Sequence, residues 1–98
     1  MKKMKKVNSI LYVEDERSIQ DELSEVIEMF CETLHLADDG VQGLKYYDAY
    51  KPDIIITDIK MPFMDGIEMS KKIKQKDKDI SIIFTTAFSD IEYFQEAI

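Results

Sequence analysis

The chain has 98 residues, 45% of them apolar, which predicts one domain with a modest hydrophobic core. Twenty acidic against thirteen basic residues give a net charge of −7, with four lysines in the first six positions, so the acidic body argues against nucleic-acid binding by this chain alone. The single cysteine, Cys31, excludes an intramolecular disulfide, and no apolar stretch could cross a membrane, so we expect a cytoplasmic protein.

The first half of the chain predicts two strands and two helices. A strand over Ser9–Val13 ends at the acidic run 14–16. From Arg17 the pattern becomes helical, with Gln20 among the polar positions and an apolar face made of Ile19, Leu23, Val26, Ile27 and Phe30. Alternation over Thr33–Ala37 predicts an edge strand. A turn at residues 38–40 leads into a second helix, from about Val41 to Tyr50.

The second half begins with the segment on which the functional interpretation depends. Three isoleucines at 54–56 run into Asp58, and Pro62 and an Asp-Gly turn follow, which predicts a strand buried on both faces. A third helix is predicted from about Gly66 to Gln75 and a fourth strand over Ile80–Thr85. Asp90 can cap a last helix that contains Ile91, Phe94 and Ile98.

Strands that alternate with helices predict an α/β fold with a mostly parallel, doubly wound sheet. The carboxyl ends of parallel strands lie on one side, where such sheets place their ligands. The first strand would bring Glu14 and Asp15 to that edge, the third Asp58 and the fourth Thr86. We therefore expect three carboxylates and a hydroxyl to converge there.

This arrangement predicts metal-assisted phosphoryl chemistry. Three neighbouring carboxylates would raise one another's pKa values unless a cation joined them, and oxygen ligands favour Mg²⁺. Asp58 is the candidate nucleophile, since a carboxylate is ionised at neutral pH, and Thr86 could donate to a phosphoryl oxygen. The alternative is that the acidic residues are solvated or cap helices, with Asp15 or Glu16 serving the helix that starts at Arg17.

These residues resemble the receiver domain of bacterial two-component response regulators, from about Ser9 to Ile98. The motifs are the acidic pair within 13–16, the segment Thr57-Asp58-Ile59-Lys60-Met61-Pro62 with its continuation to Gly66, the step Thr86-Ala87, and Lys51-Pro52-Asp53. The resemblance implies a flavodoxin-like sheet in the order 2-1-3-4. It also implies a phosphorylation-dependent switch rather than a turnover enzyme.

The resemblance further implies a role for each site residue. Asp58 would accept a phosphoryl group from the phosphohistidine of a sensor histidine kinase or a phosphotransfer protein. Asp15, Asp58 and the main-chain carbonyl of Lys60 would bind Mg²⁺, and Glu14 would contribute through a metal-bound water. Thr86 would contact the phosphoryl group and carry the signal onward as the domain shifts between inactive and active conformations.

One departure from the family pattern concerns the end of the sequence. Family members continue into a fifth strand, with a lysine near its start, and a fifth helix, whereas this sequence ends at Ile98. We therefore expect residues 1–98 to be a receiver domain that lacks its last βα unit. The fourth strand would present an apolar edge, which predicts a homodimer through that strand and the last helix. The alternative is that the sequence is part of a longer protein.

Two other functions compete with the switch. A phosphatase of the haloacid-dehalogenase type also forms an aspartyl phosphate, but it needs a second aspartate two residues later, where this chain has Lys60. A degenerate or truncated receiver could act as an interaction module that needs no phosphorylation, an interpretation favoured only by the absent lysine. The sequence names neither the cognate kinase nor the output.

Overall fold

A parallel sheet flanked by helices forms the frame of the protein, and the computed structural model describes residues 7–85. The strands and helices alternate as follows: β1 Val7–Val13, α1 Arg17–Ile27, β2 Cys31–Ala37, α2 Gly40–Tyr50, β3 Ile54–Asp58, α3 Gly66–Lys76 and β4 Ser81–Thr85. A short 3-10 turn over Glu28–Phe30 joins α1 to β2. The predicted order is confirmed over this range. Thr86 and the helix predicted after Asp90 lie outside the described residues.

The sheet has the order β2-β1-β3-β4, and all three strand pairs are parallel. This confirms the α/β fold and the order 2-1-3-4. Val13 pairs with Ala37 on one side and with Thr57 on the other, and Asp58 pairs with Thr85. The strands therefore end together, and the residues that follow them share one edge. β1 and β2 each begin two residues earlier than the sequence predicted.

One face of the sheet is closed by α2 and α3. Its buried residues form a continuous core: Leu11, Val13, Ala37, Tyr47, Ile55, Met69, Ile73 and Ile80. Met69 and Ile73 lie one turn apart on α3, the spacing that brings both side chains to the sheet. Burial of such side chains contributes about 2 kcal/mol each, so this face supplies much of the free energy of folding.

The opposite face is less completely covered within residues 7–85. Ile10, Tyr12, Ile27 and Cys31 are buried there, but Ile54 and Ile56 are only half-buried. The prediction that β3 is buried on both faces is therefore right for the face of Ile55 and wrong for the other.

The predicted apolar face of α1 is wrong for most of its members. Ile27 is buried, whereas Ile19, Leu23, Val26 and Phe30 are exposed, and Phe30 belongs to the 3-10 turn rather than to the helix. Gln20, assigned to the polar side, is buried instead. Helical periodicity identifies a helix but does not say which of its sides the sheet contacts.

The helix starts show which acidic residues act as caps. Asp39 accepts from the Gln42 N–H and Asp65 from the Glu68 N–H, each at 2.8 Å, so both cap their helices. The N-cap residue of α1 is Glu16, whose side chain makes no capping hydrogen bond. Side-chain capping of α1 by Glu16 is therefore wrong.

Candidate metal centre

Three carboxylates from two strand ends meet at the carboxyl edge of the sheet. Oxygens of Glu14, Asp15 and Asp58 all lie within 4.8 Å of one another. Glu14 is buried, Asp58 is half-buried and Asp15 is exposed. The cluster is thus closed toward the sheet and open toward solvent, so an ion or a reacting group can approach it from outside.

Glu14 forms the buried side of the cluster. Its N–H donates to the Ala37 carbonyl at 3.0 Å, and its Oε2 accepts the Glu16 N–H at 3.1 Å. Burial, helped by the negative charges of Asp58 and Asp15, raises the pKa of the Glu14 carboxyl to about 7, although the Glu16 N–H acts to lower it. A cation bound beside Glu14 would stabilise the ionised form of its carboxyl group.

Asp58 is the last residue of β3, and its carboxylate lies at the carboxyl edge of the sheet. Its Oδ1 accepts the N–H of the next residue, Ile59, at 2.8 Å, which fixes the carboxylate's direction. The chain then turns back, and the Gly66 N–H donates to the Ile59 carbonyl at 2.7 Å. A Cβ at Gly66 would overlap the Asp58 carbonyl oxygen, so only glycine allows α3 to start this close to the site.

The two other candidate residues, Lys60 and Thr86, follow the ends of β3 and β4 in the sequence. Lys60 is exposed on the loop that follows β3, two residues after Asp58. Thr86 lies outside the described residues, immediately after Thr85, the partner of Asp58 in the sheet register. The structure therefore brings together Glu14, Asp15 and Asp58 but gives no placement for the Thr86 hydroxyl.

Two buried polar residues beside the site were not identified from the sequence. Tyr12 is completely buried two residues before Glu14, and its hydroxyl makes no well-formed hydrogen bond with any residue described in the structure. Burial raises the pKa of Tyr12 well above its ordinary value, and the Glu14 and Asp58 carboxylates and a weak interaction with Glu14 add to the effect. Alternation along β1 could have placed Tyr12 beside Glu14. Gln20 gave no comparable signal, because its position reads as polar surface.

Comparison with known proteins identifies the family. The family model of the response regulator receiver domain matches residues 10–98. The chain belongs to this family. Its members are phosphorylation-dependent signalling switches of two-component systems, and they interact with histidine kinases or phosphotransfer proteins.

Individual relatives agree with this assignment. The sensory transduction protein LytT of Oceanobacillus iheyensis is 42% identical over 86 residues, which are 81% of this chain and 34% of LytT. The chemotaxis protein CheY of Halobacterium salinarum is 34% identical over 89 residues, covering 91% of this chain and 74% of CheY. This receiver chain thus spans about a third of LytT and three quarters of CheY.

The fold is shared with solved receiver structures. A response regulator receiver domain protein from Clostridium thermocellum superposes with a TM-score of 0.81 at 26% identity, covering 93% of this chain and 74% of that one. The flavodoxin-like fold implied by the sequence is confirmed. Among residues 7–85, no helix is long and apolar enough to span a membrane.

Proposed function

We propose that this receiver domain is a cytoplasmic switch in which Asp58 accepts a phosphoryl group from the phosphohistidine of a sensor histidine kinase or a phosphotransfer protein. The observation that carries the proposal is the meeting of Asp58 with Glu14 and Asp15 within 4.8 Å. The Asp58 carboxylate is half-buried at the end of β3, so it is both oriented by the backbone and open to a donor.

The proposed reaction is a transfer between two nucleophiles. An oxygen of Asp58 forms a bond to phosphorus while the phosphorus–nitrogen bond of the phosphohistidine breaks. The departing imidazole keeps the electron pair of that bond and takes a proton from solvent. Asp58 needs no general base, because a carboxylate is already ionised at neutral pH.

The donor set at this edge suits Mg²⁺. The clustered side chains offer carboxylate oxygens, and a positive charge beside three acidic groups this close stabilises their ionised forms. Asp15, Asp58 and the Lys60 main-chain carbonyl would hold the ion directly, and Glu14 would hold it through a water. When bound, Mg²⁺ supplies positive charge that neutralises the oxygens of the transferring phosphoryl group.

Transmission of the signal would begin at Thr86. Thr86 would donate its hydroxyl to a phosphoryl oxygen and so favour the active conformation of a two-state equilibrium. An aspartyl phosphate that forms on Asp58 and is later hydrolysed by the domain itself would make the domain a self-phosphorylating and autodephosphorylating switch rather than a turnover enzyme.

Intact-mass measurement tests the phosphoacceptor directly. Incubation with acetyl phosphate and Mg²⁺ should add the mass of one phosphoryl group to the wild-type chain and none to Asp58→Asn, which lacks the anionic nucleophile. Asp53→Asn is the matched control, because Asp53 is an exposed carboxylate before the opposite end of β3, and this variant should be phosphorylated normally. A wild-type chain that gains no mass would support the phosphorylation-independent interaction module, and rapid turnover of phosphate esters would support a phosphatase.

The outer strand β4 supports a proposal about assembly. Within residues 7–85, β4 lies at the edge of the sheet, and half of the Ile83 side chain is exposed. Apolar edge strands favour pairing with another chain. We therefore propose a homodimer through β4 and the predicted last helix.

Sedimentation analysis tests the dimer. Ile83→Lys should convert a wild-type dimer into a monomer, because a charge on an edge strand opposes pairing. Leu36→Lys is the control at the opposite edge, on β2, where Leu36 is also exposed. A monomeric wild-type chain, or a dimer unaffected by Ile83→Lys, would refute the arrangement.

A further inference from the structure

Gln20 is a buried polar residue in a helix that is otherwise mostly exposed. Its side chain is only 2% exposed, and Ile27 is the other buried residue of α1. A buried amide is costly unless it is hydrogen-bonded, so its contacts show what it does in the fold.

The Gln20 amide joins the ends of β1 and β2. Nε2 donates to the Glu14 carbonyl at 3.1 Å and to the Ala37 carbonyl at 3.2 Å. It also lies 3.2 Å from the Asp38 Oδ1. Since an amide nitrogen has two hydrogens, these three acceptors share them. The Ala37 carbonyl also accepts the Glu14 N–H. A network of hydrogen bonds therefore joins the carboxyl ends of the two strands.

This hydrogen-bond network lies beside the candidate metal ligands. The Glu14 carbonyl belongs to the peptide that joins Glu14 to Asp15, and the orientation of that peptide determines where the Asp15 side chain starts. Asp15 itself is exposed, so burial does not restrain its side chain. The hydrogen bond from Gln20 to the Glu14 carbonyl can instead restrain the backbone from which the Asp15 side chain extends.

We propose that Gln20 is a positioning residue of the acidic site, which fixes the Glu14–Asp15 peptide so that the Asp15 carboxylate stays beside Asp58. This inference rests on the proposed function, since it concerns the same site. Groups that orient metal ligands through hydrogen bonds change metal affinity by about 10- to 100-fold when removed. Gln20 therefore acts on Mg²⁺ binding rather than on the chemical step.

The test separates these two effects. Gln20→Met keeps the length of the side chain and removes the donor. The Mg²⁺ concentration that gives half the maximal rate of phosphorylation by acetyl phosphate should rise about 10-fold or more. The rate at saturating Mg²⁺ should recover to near the wild-type value, because the Asp58 nucleophile is unchanged.

Gln42→Met is the matched control. The Gln42 side chain accepts the Asp38 N–H at 2.7 Å, so it supports the same loop from α2 without any hydrogen bond to Glu14 in the described structure. Its half-saturating Mg²⁺ concentration should equal that of the wild type even if its stability falls. A purely structural role for Gln20 would lower the stability of Gln20→Met and leave its half-saturating Mg²⁺ concentration at the wild-type value.

Gln20→Asn is a second variant, to be used if Gln20→Met does not fold. Its side chain keeps a polar amide but is one methylene too short to reach both carbonyls. A folded Gln20 variant with the wild-type Mg²⁺ dependence overturns the positioning role while leaving the phosphoacceptor proposal intact. Failure of the wild-type chain to become phosphorylated overturns the proposed function and this inference with it.

Discussion

Gly66→Ala should lower the free energy of unfolding by about 1–3 kcal/mol, the range expected when a well-packed region must accept extra volume. The added Cβ would overlap the Asp58 carbonyl oxygen, a backbone atom at the end of the central strand β3. The Gly66 N–H also donates to the Ile59 carbonyl at 2.7 Å, so the loop cannot move away without losing that bond. Alanine's better helix propensity, about 1 kcal/mol in a helix interior, counts for less at Gly66, the first residue of α3, so it recovers only part of the loss. Urea denaturation measures the change.

Gly43→Ala is the control for this prediction. A Cβ there would meet the Met69 Sδ at 2.6 Å and a Val13 methyl at 3.2 Å, both side-chain atoms, and the methionine end can rotate away. Its unfolding free energy should stay within about 1 kcal/mol of the wild type, since helix propensity offsets the contact. Equal stabilities for Gly66→Ala and the wild type would show that the β3–α3 loop is not held against Asp58.

In the absence of divalent ions, the protein should lose stability as the pH rises from about 5 to about 7. The Glu14 carboxyl has an ordinary pKa of 4.5 and a pKa of about 7 in the folded protein. Between these values the folded state binds a proton that the unfolded state does not, so unfolding becomes easier as the pH increases. The loss should amount to about 2–3 kcal/mol, from 1.36 kcal/mol for each unit of pKa difference. Urea titrations in EDTA across this range measure it.

Glu14→Gln identifies the group responsible. The amide can still accept the Glu16 N–H but cannot ionise, so the variant should lose the pH dependence and exceed the wild type in stability near pH 8. Glu16→Gln, an exposed change on the same loop, should keep the wild-type pH profile. Identical profiles for Glu14→Gln and the wild type would refute the assignment. Added Mg²⁺ should flatten the wild-type profile, since a cation stabilises the ionised carboxylate.

The order of strands and helices could be predicted because it depends on local patterns. The isoleucine run before Asp58, the turn at 38–40 and the Asp65-Gly66 step each specify their own conformation, and the structure confirms the elements around them. The burial of α1 could not be predicted in this way. Its apolar residues at 19, 23 and 26 are exposed, because burial depends on which distant segments cover a helix.

The sequence by itself determined which chemical groups end the strands, since two acidic residues follow β1 and Asp58 ends β3 whatever the packing. It also determined the parallel topology, because strand–helix alternation permits few other arrangements. Only the tertiary structure decided the rest. The approach of three carboxylates within 4.8 Å depends on strand register, and so does the burial that raises the pKa of Glu14. The contact of Gln20 with two carbonyls depends on how α1 lies against the sheet, which no local pattern specifies.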